Sequence, residues 1–273
     1  MRPVSPKVRL VSRPDIDWEA ASAYLDDVGG MAWYDRQMSD NHDVQVSDGE
    51  SLVEFGGRLC YRSWDVGLNP NVSRVREDST EYLGNILASG HGSVLEHANF
   101  SFVFQDVSRV CTHELVRHRA GAAYSQESMR FVRLTDLPFW FPEWVGLDSI
   151  LLDRCVHVLA ILEEHQRWMA DRFGLDDAHQ LGIGKGVPFS EKKAKTSFMR
   201  RFAPDGVATA ILATFNIRSL RWIIQARTEA HAEEEIRLVF DQVAGIMVEE
   251  CPALFGDFKR SDDGVWTPGH RKV

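Results

Sequence analysis

Residues 117–130 read RHRAGAAYSQESMR. Three bases stand in a row, Arg117, His118 and Arg119, and Arg130 closes the stretch. Between them lie Ala120, Gly121, Ala122 and Ala123, small enough for backbone amides to approach a ligand closely. Arginine forks bind phosphate oxygens in a bidentate way. A basic triplet is also what a solvated surface turn looks like. Its position argues for the first reading. The triplet follows an apolar-patterned segment, residues 107–116, that should lie partly inside the fold, where unpaired charge is costly. A phosphorylated ligand is the simpler account.

Upstream, Phe100, Phe102 and Phe104 alternate with Ser101, Val103 and Gln105, which is strand periodicity. Ser108 is placed to cap a helix that delivers Arg117, His118 and Arg119 near its C-terminal end. Ser79 is placed as the N-cap of a helix running to about Ala88 and ended by Gly90. Further back, residues 8–11 read as a short strand, 18–26 as a short helix and 35–50 as a polar loop. Downstream, residues 134–144, with Pro138 and Pro142, read as an extended aromatic loop. Leu152, Cys155, Val156 and Leu159 keep helical spacing within a long helix over 149–173. Two more helices are expected over 218–226 and 232–250, and a polar, mobile tail over 259–273. The chain divides into an N-terminal extension, 1–50, a main domain, 51–258, and that tail. Helices and strands mix, so the fold class is α+β.

The chain has 273 residues, 44% of them hydrophobic and 26% charged, the composition of an ordinary globular protein. A net charge of -9 argues against general nucleic-acid binding, which needs a basic face, and leaves the arginine clusters to a defined small anion. Cys60, Cys111, Cys155 and Cys251 form no CxxC pair, so neither a zinc site nor a disulfide framework is expected, and a reducing, cytoplasmic setting is. Cys111 reads as packing rather than as a nucleophile. No apolar run approaches the ~20 residues of a membrane span, and the N-terminus lacks a signal-peptide core. His91 and His97 are six apart with no HExxH pattern, so no metal is expected; His113, His157 and His165 read as surface or satisfied histidines. No GxGxxG follows a strand, and GIGKG at 182–186 lacks the Lys-Ser/Thr ending of a phosphate loop and reads as a plain loop.

Three blocks in register carry a resemblance: RHRAGAAYSQES at 117–128, SGHGSVLEH at 89–97, and NIRSLRWIIQAR at 216–227 followed by His231. A weaker fourth is GRLCY at 57–61. The chain resembles the flavin-dependent thymidylate synthases over most of its length. The resemblance implies a central, largely antiparallel sheet flanked by helices, and a homotetramer with active sites where subunits meet. It implies FAD as cofactor, NADPH as reductant, and methylenetetrahydrofolate as one-carbon donor to C5 of the uracil of UMP or dUMP. On the flavin side it places Ser93, Glu96, Arg117, His118, Arg119, Asn216, Arg218 and His231, with His91 as the flavin-proximal histidine. On the nucleotide side it places Glu114, Gln126, Ser128, Arg130, Arg200 and Arg227. Arg227 would stabilise negative charge developing on the uracil ring, a task for a group that stays charged. Ser128 would position substrate, since no base is evidently paired with it.

This sequence departs from the pattern in three places. Eight residues, not seven, separate Arg119 from Ser128, with the extra one among residues 120–123. Glu114 stands where the family often has Gln, and Trp222 where it often has Asn. The longer spacing is similar to that of the family's relative from polyoxin-type nucleoside antibiotic biosynthesis, which methylates UMP. Small Ala122 and Ala123 would give a 2′-hydroxyl room, and an inward Glu114 would accept from it. Ordinary dUMP methylation remains the other branch. Two readings from other classes stand beside it: a non-catalytic nucleotide- or RNA-binding relative, and a flavin oxidoreductase without methyl transfer.

Overall fold

The computed structural model describes residues 1–39, 46–130, 134, 136–175, 188–271 and 273. The GIGKG stretch lies outside these. In chain order the elements are β1 (Arg2–Pro3), β2 (Lys7–Ser12), α1 (Trp18–Val28), α2 (Met31–Met38), α3 (Asp48–Tyr61) and α4 (Ser79–Ser89). A 3-10 turn, Gly92–Glu96, leads to β3 (Asn99–Ser108), α5 (Arg109–Leu115), β4 (Ala122–Gln126), β5 (Pro138–Phe139), α6 (Glu143–Gly146) and α7 (Ser149–Arg172). Then come α8 (Phe189–Met199), β6 (Ala208–Asn216), α9 (Ile217–Thr228), α10 (Glu234–Glu250), α11 (Pro252–Phe255), β7 (Phe258–Arg260) and β8 (Trp266–Pro268). The fold is α+β, with an antiparallel sheet in the strand order β2-β3-β6-β4.

The chain forms two compact units. The first holds Met1–Lys7, Val103–Arg117 and Tyr124–Leu212. The second holds Val8–Phe102, His118–Ala123 and Ala213–Val273. In the first unit, Leu134, Leu137, Leu159 and Val207 make a buried cluster. Buried Glu163, on α7, accepts from the Leu137 N–H at 2.7 Å. In the second unit, Leu25, Trp33 and Trp64 are fully buried, with Trp18, Tyr34 and Phe55 packed against them. The wholly buried Glu54 accepts from Trp33 Nε1 at 2.9 Å and from Arg58 Nε at 2.7 Å. Arg58 also donates to the carbonyls of Ser63 and Arg76, while Glu54 takes its hydrogen bonds on Oε1 and its buried Oε2 accepts none.

The expected alternation in β3 holds: Phe100, Phe102 and Phe104 are all buried. Ser108 caps α5, accepting from the Cys111 N–H at 3.0 Å. The long helix 149–173 and the pair near 218–226 and 232–250 are α7, α9 and α10.

Four local expectations are corrected. Residues 35–50 are not all loop, because α2 runs to Met38 and α3 begins at Asp48. Trp33 is buried and anchors α2, and Ser47 with Glu50 forms a reciprocal capping box that starts α3. The S-x-x-E spacing was present in the sequence to be read. Asp78, not Ser79, caps α4, accepting from the Glu81 N–H at 2.6 Å; Gly90 ends it with φ +68°. Within 134–144, Pro138 and Phe139 pair in parallel with Arg2 and Pro3, and α6 follows. The tail is structured: β7 and β8 pair antiparallel, and Trp266 Nε1 donates to Asp241 at 2.8 Å. Arg260 holds the same carboxylate with two hydrogen bonds, which, with the indole, keep the Asp241 carboxyl below the usual carboxylate range.

Candidate active site

In the first unit, α5 and β4 present a polar group from two sides of the basic triplet. Ser108 starts α5, apolar Cys111 and Leu115 bury one face, and the helix stops two residues short of Arg117. Arg117 is exposed and Glu114 half-buried. On β4, Gln126 Nε2 donates to Thr112 Oγ1 at 3.1 Å, and Thr112 is fully buried. Tyr124 Oη donates to the Leu115 carbonyl at 3.0 Å. These two bonds fix β4 against the end of α5. Just beyond, Ser128 Oγ accepts from the Arg130 N–H at 3.3 Å, which makes a local turn that holds the serine hydroxyl. Arg200 is exposed at the end of α8. Burial holds the Arg109 guanidinium below the usual arginine range; Asp205 opposes this and Arg200 reinforces it. Arg109 borders a small cavity that Glu127, Met129, Leu134 and Thr209 also line. Sequence reasoning singled out neither Arg109 nor Thr112, because a helix-start arginine and a helical threonine carry no motif.

In the second unit, His118 and Arg227 meet. Arg227 Nε donates to His118 Nε2 at 2.7 Å. Burial, and the neighbouring guanidinium, push the His118 pKa down to about 4. The imidazole is therefore neutral at physiological pH, with Nε2 as acceptor, and the pair carries one positive charge, on Arg227. Arg218, in the first turn of α9, donates through Nη1 to Glu96 at 2.7 Å and through Nε to the Val273 carbonyl at 3.1 Å. Asn216 is buried and caps α9, accepting from the Ser219 N–H at 2.8 Å. Its side chain is thus committed to the helix start. His91 lies edge-on to Tyr61, ring centroids 5.7 Å apart, which draws the GRLCY block into this group. Ser93, Glu96, Arg119, Arg218 and His231 are exposed.

The structure joins Arg227 to His118 and Glu96 to Arg218, pairings that the sequence blocks did not specify. Ser128 belongs to the first unit, Arg227 and His91 to the second. Trp222, in a position flagged as unusual, is 61% exposed. Cys111 and Cys251 are buried; burial and the Glu50 carboxylate push the Cys251 thiol up to about 12, so it is no nucleophile. Arg119, Arg218, Ser93 and His91, all in the second unit, are residue types whose donors suit phosphate oxygens.

A sequence model of the family described as "Thymidylate synthase complementing protein" matches residues 44–253. The flavin-dependent thymidylate synthase of Mycobacteroides abscessus is 32% identical over 263 residues, covering 92% of this chain and 87% of that one. The enzyme of the same name from Mycobacterium sp. (strain JLS) is 34% identical over 219 residues, 80% of this chain and 83% of that one. Among solved structures, the UMP/dUMP methylase PolB from Streptomyces cacaoi, bound with 5-Br UMP, superposes with a TM-score of 0.61 at 15% identity, covering 93% of this chain and 94% of that one. Its complex with 5-Br dUMP gives the same score.

Proposed function

This chain belongs to the thymidylate synthase complementing protein family, the flavin-dependent thymidylate synthases, and on that premise we propose that it methylates C5 of the uracil in a uridine monophosphate, UMP and/or dUMP. It is a flavin-dependent methyltransferase of the thymidylate synthase type. Methylenetetrahydrofolate is the carbon donor and NADPH the reductant. In the overall balance C5 gains one CH2 unit, and NADPH with one proton supplies two protons and two electrons, so that tetrahydrofolate and NADP+ leave. The flavin, when bound, supplies the redox chemistry between them.

The observation that carries the reading is the Arg227–His118 contact. A guanidinium stabilises negative charge on a uracil ring best when its orientation is fixed beforehand. The neutral imidazole fixes it by accepting from Nε, without cancelling its charge. In this reading Gln126, Ser128, Arg130 and Arg200 take the nucleotide's sugar and phosphate, with Glu114 as a further acceptor; His91, Ser93, Arg117, Arg119, Arg218 and His231 hold the flavin. Asn216 and Glu96 serve that side indirectly, Asn216 by starting α9 and Glu96 by pinning Arg218.

The two sugar branches draw on different observations. The mycobacterial relatives are named thymidylate synthases, which favours dUMP. The longer loop, and a structural neighbour that holds both 5-Br UMP and 5-Br dUMP, support acceptance of the ribonucleotide. Side-by-side assays of UMP and dUMP, with FAD, NADPH and methylenetetrahydrofolate, decide between them. Methylation of neither nucleotide would remove the proposal.

The reading also takes the enzyme as a homotetramer. Leu147 and Ile150 are more than four-fifths exposed, and Val158, Ile161 and Trp168 continue the apolar stripe along α7. A stripe of this size on a lone chain is unusual. Exposed Arg154 lies within the stripe and exposed Glu164 at its edge, opposite charges that suit an antiparallel α7 from a second copy. Ile150→Glu with Ile161→Glu should shift the mass measured by light scattering to a smaller species.

A further inference from the structure

The lengthened signature loop has a partner that the motifs do not assign. Ser219 Oγ donates to the Ala120 carbonyl at 2.7 Å. One residue on, the Asn216 N–H donates to the Gly121 carbonyl at 3.0 Å. Both donors lie at the start of α9, and Asn216 is buried there, so they form a rigid base. Gly121 takes φ +64°, and a Cβ on it would fall on the Asn216 side-chain amide and within 2.5 Å of Ser219 Oγ. The backbone of the loop is thus pressed onto the helix start as closely as a glycine allows.

The same helix meets the same loop again at its other end, where Arg227 Nε reaches His118 Nε2. Ser219 and Arg227 are eight residues apart, about 12 Å along the helix at 1.5 Å per residue. His118 and Ala120 are two residues apart, a reach of about 7 Å. The long Arg227 side chain covers the remainder. Segment 118–121 therefore lies along α9, held at Ala120 and Gly121 and in contact again at His118.

We propose that Ser219 is a positioning residue: by holding the Ala120 carbonyl it fixes the lengthened loop on the first turn of α9, and through the loop it holds the His118 ring against Arg227. A loop one residue longer has one more pair of soft torsions to restrain, and a single hydroxyl bond beside the Asn216 amide restrains it. The loss of that bond lets the segment rotate and draws the imidazole off the guanidinium, while α9 keeps its Asn216 cap.

The test uses the purified, flavin-containing full chain without nucleotide, so its outcome is independent of whether UMP or dUMP is methylated. Two signals are read in wild type, Ser219→Ala and Ser219→Thr: hydrogen exchange of the Asn216 amide, which reports the Gly121 bond, and the 15N resonance of His118 Nε2, which reports the Arg227 bond. In Ser219→Ala the Asn216 amide should exchange at least fivefold faster and the Nε2 resonance should move toward that of an unbonded nitrogen. Ser219→Thr keeps the hydroxyl and should restore both. If Ser219→Ala leaves both signals at their wild-type values, the proposal is wrong. It is equally wrong if the amides of Ile223 and Ile224, in the buried face of α9, accelerate as much as that of Asn216, since Ser219 would then merely stabilise the helix.

Discussion

Replacing Gly121 with alanine tests how tightly the signature loop is seated. The new methyl group asks three things of the structure. An L-residue at φ +64° costs about 1 kcal/mol relative to glycine. The Cβ falls on the Asn216 side chain, so Asn216 must move, and loss of an N-cap costs about 1 kcal/mol. The Gly121 carbonyl then parts from the Asn216 N–H, a further cost of about 1 kcal/mol. The total is about 3 kcal/mol, and with a urea slope of about 3 kcal/mol per molar for a chain this long, the unfolding midpoint should fall by about 1 M. Gly84→Ala is the control. Gly84 sits within α4, and a Cβ there meets nothing within 4 Å, so the substitution should raise the midpoint by about 0.3 M through helix propensity alone. The assay is urea unfolding followed by circular dichroism. A Gly121→Ala midpoint within about 0.2 M of wild type would refute the close seating of the loop on α9.

Three further outcomes follow from the same structure. Arg227→Ala should abolish methyl transfer while NADPH oxidation by the flavin-loaded enzyme continues; unchanged methylation would take Arg227 out of its role. His118 has a folded pKa near 4 against an ordinary value of 6.5, so as pH falls from 6.5 toward 4 the unfolded chain takes up a proton that the folded chain refuses. Wild type should therefore lose stability relative to His118→Gln across that window, and parallel Tm curves would contradict the buried neutral imidazole. Exposed Cys60 should react rapidly with a thiol reagent in the native protein, whereas buried Cys111 and Cys251 should react only after unfolding. Rapid native modification of Cys251 would show that its pocket opens.

Elements whose own side chains set their periodicity were legible in the sequence. The phenylalanine alternation of β3, the Ser108 cap and the apolar spacing of α7 are local signals, and each element formed where it was expected. The capping box Ser47/Glu50 is equally local, but the polar, charged residues around it look like loop. The tail misled because its reasons lie elsewhere in the chain. Residues 259–273 look polar and unattached, yet Trp266 finds Asp241 and Thr228, and Arg260 finds Asp241.

The site divides in the same way. By itself the sequence determined the family, the types of residue at the site and the presence of an extra loop residue, because each is a matter of spacing along the chain. Only the tertiary structure decided which arginine meets which histidine, and what restrains the lengthened loop. Arg227 and His118 stand 109 residues apart, and Ser219 and Ala120 stand 99 apart. Contacts of that range arise from the packing of β3, β6 and α9, and a hydrogen bond of 2.7 Å depends on where those elements come to rest.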